Sequence, residues 1–520
     1  MGDEGASGGR ERLLLVGWEG TLAPVPGEDA GAGEPEVVGS WMAEARRFAA
    51  RISTSDSGVT LPLGQLVGGL RRRLMGVFAM PVAMGFGGLT GEQRAGLERV
   101  AGAVLEDWEA GVGLFARRLR GFSAELARWM GVAELPEIIS LGAASSDVHG
   151  PSGVAIQIEF AGGGTVFYKA RPVTGEVFWA ELQGRLAEID LQAGVRAARA
   201  LTGRDEAGEF GWMECLPRSV CEEGRHWRRA GALLCAAMAT GLSDLHMANI
   251  VSTADGPAVV DAECLGGLGG CAPGDGEGME GELLGTGLLP FGDLPDVSGL
   301  FGGGASVNGV RVPRWGADGA VEFVEARLVE QGNRLAGSER APLACLPEML
   351  DGFRCAAEAI CGIRRELLTE GGWVERMEAS HRPRVVFRST LEYGLVMSRT
   401  LFPEAIGFSE VIGSEVARER AVRRGLAELG PRQGGAEGGG VEEAEVRALL
   451  RLCVPRFTMG GGGGVQDEGG LVFGGPELCA AEDGGVRGRI EGMSPEWVES
   501  GGREALAGVL FQANSGQRWR

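Results

Sequence analysis

Four polar residues, taken in chain order, have the types and the spacing that phosphoryl transfer requires. Lys169 lies in a predicted strand, Asp244 precedes Asn249 by five positions, and Asp261 ends a predicted hairpin. Phosphoryl transfer needs a lysine on the phosphates, a carboxylate beside the nucleophile and further ligands for Mg²⁺. The Asp to Asn offset is that of the kinase catalytic loop. Each residue alone also fits a solvated lysine or a turn-capping carboxylate, so the hypothesis depends on the ordered set.

Lys169 is the single lysine among the 50 Lys and Arg residues of the chain. A Walker A loop requires Gly-Lys followed by Ser or Thr. Tyr168 and Ala170 flank this lysine instead, so the chain has no P-loop. A compact ammonium serves sites that a planar guanidinium does not. A lone lysine in an arginine-rich chain therefore indicates a dedicated site, with codon bias as the alternative.

The composition restricts the partners and the compartment. The 520 residues carry a formal net charge of -21, and counterion release requires clustered cations, so nucleic acid and anionic membranes are disfavoured as partners. The longest apolar stretch, 230–242, is too short to span a bilayer, and the acidic N-terminus lacks the order of a signal peptide. The ten cysteines include no C-x-x-C pair, which predicts reduced, mostly buried thiols and no structural metal. We expect a cytoplasmic protein without a membrane span.

Hydrophobic periodicity predicts the elements that must position these residues. The first residues, to about 36, are a weakly structured lead-in with an apolar run at 13–18, and helices dominate from 41 to 131. A β-hairpin over 154–171, with a glycine turn, places Lys169 on its second strand. The later elements are helices at 178–201 and 227–241, strands at 250–251 and 258–260, a loop at 266–304, helices at 321–331 and 346–368, a strand at 384–390 and a helix at 391–401.

The predicted strand at 384–390 could bind an anion. A period of two places Arg384, Arg388 and Thr390 on one face, where two guanidiniums and a hydroxyl could hold one phosphate. An exposed face of a basic strand explains the same residues and, from the residues alone, is slightly favoured. His226 and His381 fit no motif, and we expect them at the surface.

Five short motifs carry a resemblance to a known family. They are Ser146-Asp147-Val148-His149, Tyr168-Lys169-Ala170-Arg171, Phe210-Gly211-Trp212-Met213-Glu214, Asp244-x-His246-x-x-Asn249 and Asp261-x-Glu263. Over roughly residues 60–480, the chain resembles the dehydratase domain of class II lanthipeptide synthetases, the LanM type. The Asp-x-His-x-x-Asn motif is also similar to the catalytic loop of phosphoinositide kinases.

The resemblance implies an α+β fold with a lipid-kinase-like bilobal catalytic core, an N-terminal helical region and C-terminal helical additions. The implied division is a lead-in at 1–40, an N-terminal helical region at 41–140, a kinase-like core with the ATP and Mg²⁺ site at 141–300, a C-terminal part with the phosphate-elimination strand at 301–480, and a tail at 481–520. Nothing after about residue 480 resembles the zinc-binding cyclase of full synthetases, so we expect no cyclase domain and no ring closure.

The resemblance also implies an activity. Such domains use ATP and Mg²⁺ to phosphorylate Ser and Thr of a ribosomally made precursor peptide, then eliminate the phosphate to leave dehydroalanine and dehydrobutyrine. Phosphate is a far better leaving group than hydroxide when cations meet its charge. The precursor peptide is the implied partner, and a separate cyclase or export system is a further candidate. The alternatives are a kinase-like enzyme that stops at phosphorylation and an inactive fragment that binds a leader peptide.

Site residues follow from the family motifs for both half-reactions. For phosphorylation they are Lys169 and Glu214 at the ATP, Asp244, His246 and Asn249 in the catalytic loop, and Asn249, Asp261 and Glu263 at Mg²⁺. For elimination, the family's Arg and Thr, six positions apart, match Arg384 and Thr390, with Arg388 beside them. Asp147 and His149 match a further pair with a general active-site role, and a turn with a capping Asp fits them equally well.

Some positions depart from the family or stay open. The departures are Ser146 in place of the usual Gly, Ala170 in place of the usual Pro and Arg456 in place of a frequent Tyr, and we expect them to shape loops. The glutamate that pairs with Lys169 is open among Glu176, Glu181 and Glu188, all on or near the following helix.

Overall fold

A computed structural model describes residues 13–15, 36–53, 60–83, 85–143, 155–267, 279–290, 297–302, 306–316, 318–329, 342–401, 414–430, 432, 439–460, 464–473, 485–494 and 501–515. The first strand, β1 (Leu13–Leu15), lies in the predicted lead-in. The chain combines helices with mainly antiparallel sheets, which confirms the α+β class.

Four helices precede the main sheet and bury one face each. They are α1 (Glu36–Ser53), α2 (Val67–Ala83), α3 (Gly91–Gly121) and α4 (Ser123–Met130), with 3₁₀ turns at Leu63–Leu66 and Phe86–Gly88. Helix α3 begins with a capping box, in which the Thr90 and Gln93 side chains each accept a hydrogen bond from the other residue's backbone N–H. Its apolar residues at spacings of three and four are buried, and the prediction that helices dominate from 41 to 131 is confirmed for this segment.

The main sheet has five antiparallel strands in the order β2-β3-β4-β6-β5. The strands are β2 (Ile138–Ala143), β3 (Ile156–Phe160), β4 (Thr165–Lys169), β5 (Ala200–Asp205) and β6 (Gly208–Glu214). Successive side chains of a strand point to opposite faces. Tyr168 therefore packs into the core beneath the N-terminal helices, against Phe115 and Trp212, while its neighbour Lys169 points to the other face.

The helices that follow enclose a second hydrophobic core. Helices α5 (Thr174–Ile189), α6 (Glu223–Thr240), α7 (Met279–Gly285), α8 (Leu346–Leu368) and α9 (Trp373–Ser380) contribute to it, together with α13 (Gly485–Gly492) and α14 (Arg503–Ser515). The hairpin of β7 (Ile250–Thr253) and β8 (Gly256–Val259) packs on α6, and it forms where the sequence predicts it.

Helices α6 and α8 cross so closely that only glycine fits at the contact. A Cβ on Gly352 would lie 1.7 Å from the carbonyl oxygen of Arg228, and one on Gly231 would lie 1.8 Å from that of Met349. The two helices cannot separate without opening the core that they share.

This crossing gives a prediction with a control in the same helix. Gly352→Ala forces the helices apart, and we expect it to lower the free energy of unfolding by about 3 kcal/mol, the upper part of the range for overpacked cores. Gly362 is exposed in α8 with no atom near its missing Cβ. Gly362→Ala should therefore raise stability by about 0.5 kcal/mol. Urea denaturation of both variants, followed by tryptophan fluorescence, measures the difference, and equal midpoints would refute the close crossing.

Two smaller sheets complete the fold. Strand β10 (Val321–Val329) lies between β1 and β9 (Ser306–Trp315). The other sheet has the order β11 (Arg384–Val385), β12 (Phe457–Met459), β13 (Val465–Asp467) and β14 (Val472–Phe473). Helices α10 (Thr390–Leu401), α11 (Glu415–Glu428) and α12 (Gly439–Leu450) pack together beside it, and a 3₁₀ turn at Pro342–Cys345 precedes α8.

Three sequence predictions of secondary structure are wrong. The helix at 178–201 ends at Ile189, because the chain turns at Asp190 and returns as β5. The helix at 321–331 is strand β10, whose antiparallel pairing with β9 outweighs its helical spacing. The loop at 266–304 contains helix α7. In the first two segments, a β-hairpin formed in place of the predicted helix, β5 with β6 and β10 with β9.

The predicted strand at 384–390 is also wrong beyond its first two residues. Only Arg384 and Val385 pair with β12, and α10 begins at Thr390. The Ser389 hydroxyl accepts from the backbone N–H of Glu392, while the Glu392 carboxylate accepts from the backbone N–H of Ser389. This Ser-x-x-Glu capping box starts a helix where a strand was expected, so Arg384, Arg388 and Thr390 do not share a strand face.

Both histidines expected at the surface are buried. His226 is 3% exposed and packs edge-on against Trp227, and His381 is 6% exposed at the end of α9. Burial lowers the pKa of each to about 4, so both are neutral near pH 7.

The eight cysteines among the described residues are free thiols, five of them buried. In the part of the chain that the structure describes, no helix is both long and apolar enough to cross a bilayer.

Candidate functional site

Lys169 lies at the centre of the predicted site. Its ammonium nitrogen is 3.0 Å from Asp261 Oδ2, 3.2 Å from Glu176 Oε1 and 3.0 Å from the carbonyl oxygen of Val260. Glu176 is therefore the partner that the sequence left open. The other two candidates are engaged elsewhere, Glu181 with Arg376 and Glu188 with Arg185.

Helix α5 brings Glu176 to this position because its first turn touches the segment after β8. A Cβ on Gly175 would lie 2.3 Å from the carbonyl oxygen of Ala262. Glycine thus allows the helix to approach the backbone between Asp261 and Glu263. The lysine, the helix glutamate and the Asp-x-Glu motif meet at one point as a result.

Arg171 joins the same carboxylates from the end of β4. Its Nη2 lies 2.7 Å from both Glu176 Oε1 and Asp261 Oδ2, and its Nε lies 3.1 Å from Glu263 Oε2. Burial acts to lower the pKa of Arg171, but attraction to Asp261, Glu176 and Glu263 outweighs it and raises the pKa. Burial likewise acts to raise the pKa of Asp261, yet Arg171 and Lys169 hold it at about 2. Asp261 is therefore ionised at neutral pH.

Glu263 is also bound by two arginines from the small sheet. Arg384 Nη1 lies 2.7 Å from Glu263 Oε1, and Arg456 Nη2 lies 3.3 Å from Glu263 Oε2. The backbone N–H of Arg384 donates to the carbonyl of Glu263 at 2.8 Å. Because Arg384 pairs with Thr458 in the register of β11 and β12, Arg456 reaches the same carboxylate from the next strand.

The loop 243–249 holds the catalytic residues predicted between α6 and β7. Leu245 N–H donates to Thr286 O at 2.9 Å, and Met247 N–H donates to Val297 O at 3.0 Å. Asn249 Nδ2 donates to the carbonyl oxygen of Asp244 at 2.8 Å and lies 3.2 Å from His246 Nε2. These bonds fix the loop against two neighbouring segments.

Asp244 adopts a left-handed backbone conformation with φ of 60°. Non-glycine residues rarely adopt it, and it clusters at functional sites. One carboxylate oxygen of Asp244 lies 3.7 Å from Arg384 Nη1 and the other lies 3.9 Å from His246 Nε2. Burial raises the pKa of Asp244 and lowers that of His246. A carboxylate with a raised pKa, next to a neutral imidazole, is suited to accept a proton.

The three residues predicted to bind magnesium have oxygen donors. Asn249, Asp261 and Glu263 supply amide and carboxylate oxygens, the ligands that hard cations prefer. Among the described residues, no group of three or more His, Cys, Asp and Glu side chains is arranged to hold an ion. The two acidic side chains instead contact Lys169 and the arginines.

Two of the other predicted site residues lie on other elements, and two lie outside the described part of the chain. Glu214 ends β6 and pairs with Arg196 at 2.7 Å and Arg199 at 3.5 Å. Thr390 is the first residue of α10. Asp147 and His149 lie outside the described residues, so their assignment stays a prediction.

Arg388 is engaged in a buried polar cluster instead of facing Arg384 across a strand. Its Nε lies 3.3 Å from Glu445 Oε1, a carboxylate with no exposed surface that also binds Arg432 and the Tyr393 hydroxyl. The side chain of Arg388 is 5% exposed. These contacts indicate a structural role, and phosphate binding by Arg388 stays a prediction.

We therefore expect Arg388→Met to act on stability. Removing one partner of a buried ion pair costs about 3–5 kcal/mol, and the lower end applies because Arg432 and Tyr393 still bind Glu445. The control is Arg447→Met, which removes an exposed pair with Asp467 and should cost under about 1 kcal/mol. Thermal unfolding compares the two variants. An Arg388 variant as stable as the parent that accumulates phosphopeptide would restore the phosphate-binding hypothesis.

Sequence reasoning gave no site role to Arg171 or Arg456 and could not choose Glu176. Arg171 stands in the Tyr-Lys-Ala-Arg motif, two positions after the lysine, so it shares the face on which Lys169 points. Arg456 was noted only as a departure that shapes a loop. The alternation of side chains along β4 could have identified Arg171. Arg456 reaches the site only because β11 and β12, which are distant in the chain, pair with each other.

Known proteins are similar to the part of the chain that contains this cluster. The profile of the family described as Domain of unknown function (DUF4135) matches residues 95–460. Over 276 residues, the chain is 23% identical to the lacticin 481/lactococcin biosynthesis protein LcnDR2 of Lactococcus lactis subsp. lactis. The alignment covers 48% of this chain and 28% of that protein, so the chain spans less than a third of this curated relative. The segment 95–460 that matches the family profile includes every site residue described above.

Proposed function

Because this chain belongs to the DUF4135 family and contains a LanM-type dehydratase region, we propose that it dehydrates Ser and Thr of a ribosomally made precursor peptide. It does so in two half-reactions, phosphorylation by ATP and elimination of the phosphate. The similar protein from Lactococcus lactis carries a name from lantibiotic biosynthesis, which supports a precursor peptide as the substrate class.

One observation carries the proposal. Lys169, Asp244, Asp261 and Arg384, which lie on four different elements or loops, belong to one connected cluster of ion pairs. A lysine for phosphates and a carboxylate for the hydroxyl are the parts of a kinase site. An arginine beside that carboxylate is the additional part that elimination needs.

In the first half-reaction, Lys169 binds the phosphates of ATP and Glu176 holds the lysine in place. Asp244 accepts the proton of the substrate hydroxyl as the hydroxyl oxygen attacks the γ-phosphorus, and the bond from the γ-phosphorus to the bridging oxygen breaks to release ADP. Asn249 keeps the Asp244 backbone in its left-handed conformation. Asn249, Asp261 and Glu263 would hold Mg²⁺, which supplies charge neutralisation at the phosphates when bound.

In the second half-reaction, a base removes the Cα proton of the phosphorylated residue. The C–H electron pair forms the Cα–Cβ double bond, and the Cβ–O bond breaks with its pair leaving on the phosphate oxygen. Arg384 stabilises that developing charge, because a guanidinium in a half-buried site binds phosphate strongly. Thr390, six positions later, is a second candidate for this step.

The fold supports the same proposal. We assign the five-stranded sheet bearing Lys169 and the helical region bearing the loop 243–249 to the two lobes of the proposed lipid-kinase-like core. We further propose a cytoplasmic site of action, because ATP and an unmodified precursor peptide are both available there.

Mass spectrometry tests the proposal directly. The protein is combined with ATP, Mg²⁺ and a Ser/Thr-rich precursor peptide encoded beside its gene, and the product is weighed. Loss of one water per modified residue is the expected result. A stable phosphate adduct would support an enzyme that only phosphorylates, and an unchanged peptide would refute both catalytic functions.

A further inference from the structure

We propose that Arg456 is a second phosphate-binding residue, which acts with Arg384 to hold the leaving phosphate during elimination. The inference rests on the proposed function and deepens it, since it replaces Arg388 as the second guanidinium. The two arginines meet at Glu263 from neighbouring strands, although they are far apart in the chain.

The positions of the two guanidiniums are set by the small sheet. Arg384 pairs with Thr458 and Val385 pairs with Phe457, so Arg456 is the residue that continues this register beside the site. The aromatic contact of Phe387 with Phe457, 5.1 Å between ring centroids, anchors the two strands to each other. Arg384 therefore lies in β11, and Arg456 directly precedes β12, which is packed against it.

The two arginines bind opposite oxygens of one carboxylate. Arg384 contacts Oε1 of Glu263 and Arg456 contacts Oε2, with exposed side-chain fractions of 10% and 13%. Arg171 Nε also contacts Oε2, so three guanidiniums surround this carboxylate and mark a place where an anion with several oxygens fits. A phosphate group presents the same kind of oxygens with more charge, so it competes well for this pair.

The charge balance of the cluster leaves these guanidiniums available to substrate. Arg171 and Lys169 already neutralise Asp261 and Glu176. Arg171 also binds Glu263, with its Nε 3.1 Å from Oε2, so this carboxylate keeps an arginine partner when Arg384 and Arg456 turn to a phosphate. The phosphate then replaces Glu263 as the anion that the two guanidiniums bind.

Arg384 also links this pair to the catalytic loop, since its Nη1 is 3.7 Å from Asp244 Oδ2. A phosphate held between the two arginines would thus lie next to the residue proposed to direct phosphorylation. Arg388 does not offer this arrangement, because Glu445 and the carbonyl oxygen of Gly430 bind its guanidinium.

The test starts from a synthetic phosphoserine form of the precursor peptide, so that elimination is measured without phosphorylation. The parent protein, with ADP and Mg²⁺ present, should convert the peptide to dehydroalanine with loss of phosphoric acid by mass. Arg456→Gln should slow this step on the order of 10²-fold, the effect of removing one charge-stabilising donor. Arg456→Lys should recover only part of the rate, because lysine lacks the bidentate fork.

The control is Arg447→Gln, on α12 against the same sheet. Arg447 pairs with Asp467 at 2.8 Å and is 54% exposed, so its loss should leave elimination unchanged. Binding of inorganic phosphate, measured by calorimetry, gives a readout apart from turnover, and Arg456→Gln should weaken it while Arg447→Gln does not. Thermal unfolding of both variants separates a binding defect from a folding defect.

Each outcome decides the inference. Fast elimination by both the parent and Arg456→Gln would overturn the role of Arg456 and leave the proposed function standing. A parent that leaves the phosphopeptide intact would overturn the elimination half of the proposed function and this inference together. Arg456→Gln could slow phosphorylation and elimination equally while phosphate binding stays unchanged. That outcome would overturn phosphate binding by Arg456 and show that its role is to hold Glu263.

Discussion

Asp244→Asn leaves the precursor peptide at its unmodified mass when it is incubated with ATP and Mg²⁺. The substitution removes the carboxylate that accepts the hydroxyl proton, and general base catalysis of this kind is worth on the order of 10²–10⁴-fold in rate. The raised pKa of Asp244, caused by burial, makes it a stronger base than an exposed carboxylate, so we expect the larger part of this range. Mass spectrometry over a time course measures the rate.

Asparagine is the appropriate replacement because it keeps the shape and tolerates the left-handed backbone that Asp244 adopts. The carbonyl oxygen of residue 244 still accepts from Asn249, so the loop should keep its conformation. The matched control is Asp255→Asn in the turn between β7 and β8, which should retain the parent rate. Phosphorylation at the parent rate by the Asp244 variant would remove this residue from the catalytic role.

Arg384→Gln accumulates phosphorylated peptide, whereas Asp244→Asn leaves the peptide unmodified. Without the guanidinium, the charge that develops on the leaving phosphate lacks its nearest cation, which costs on the order of 10²–10³-fold in elimination. Arg384 also binds Glu263, so we expect phosphorylation to slow as well, but by less than elimination. The diagnostic quantity is the ratio of phosphopeptide to dehydrated peptide, followed by mass.

The control for this variant lies two residues earlier. Arg382 is exposed and donates only to the carbonyl oxygens of Glu378 and His381, so Arg382→Gln should give fully dehydrated product. The same unmodified peptide from the Arg384 and Asp244 variants would show that the two half-reactions do not have separate residues. Dehydrated peptide at the parent rate would exclude Arg384 from elimination.

Much of the fold could be predicted from local patterns. The long helices, the hairpin that bears Lys169 and the hairpin that ends at Asp261 follow from periodicity and turn residues, and all are present. Two of the errors occur where a helical spacing was expected and a hairpin strand forms instead, as in β5 and β10. The capping box at Ser389 and Glu392 was a local signal that could have corrected the strand at 384–390.

The amino-acid sequence alone determined the residue types and their order, from the single lysine through the Asp-x-His-x-x-Asn and Asp-x-Glu motifs. These features are encoded within a few positions, so they can be identified without a fold. Only the tertiary structure selected Glu176 as the partner of Lys169, assigned Arg388 to Glu445 and brought Arg456 to Glu263. Those pairs join residues up to 193 positions apart, and their contacts depend on how sheets and helices pack. Packing of distant segments has no local signature, because ion pairs form between whichever side chains the buried backbone places within reach.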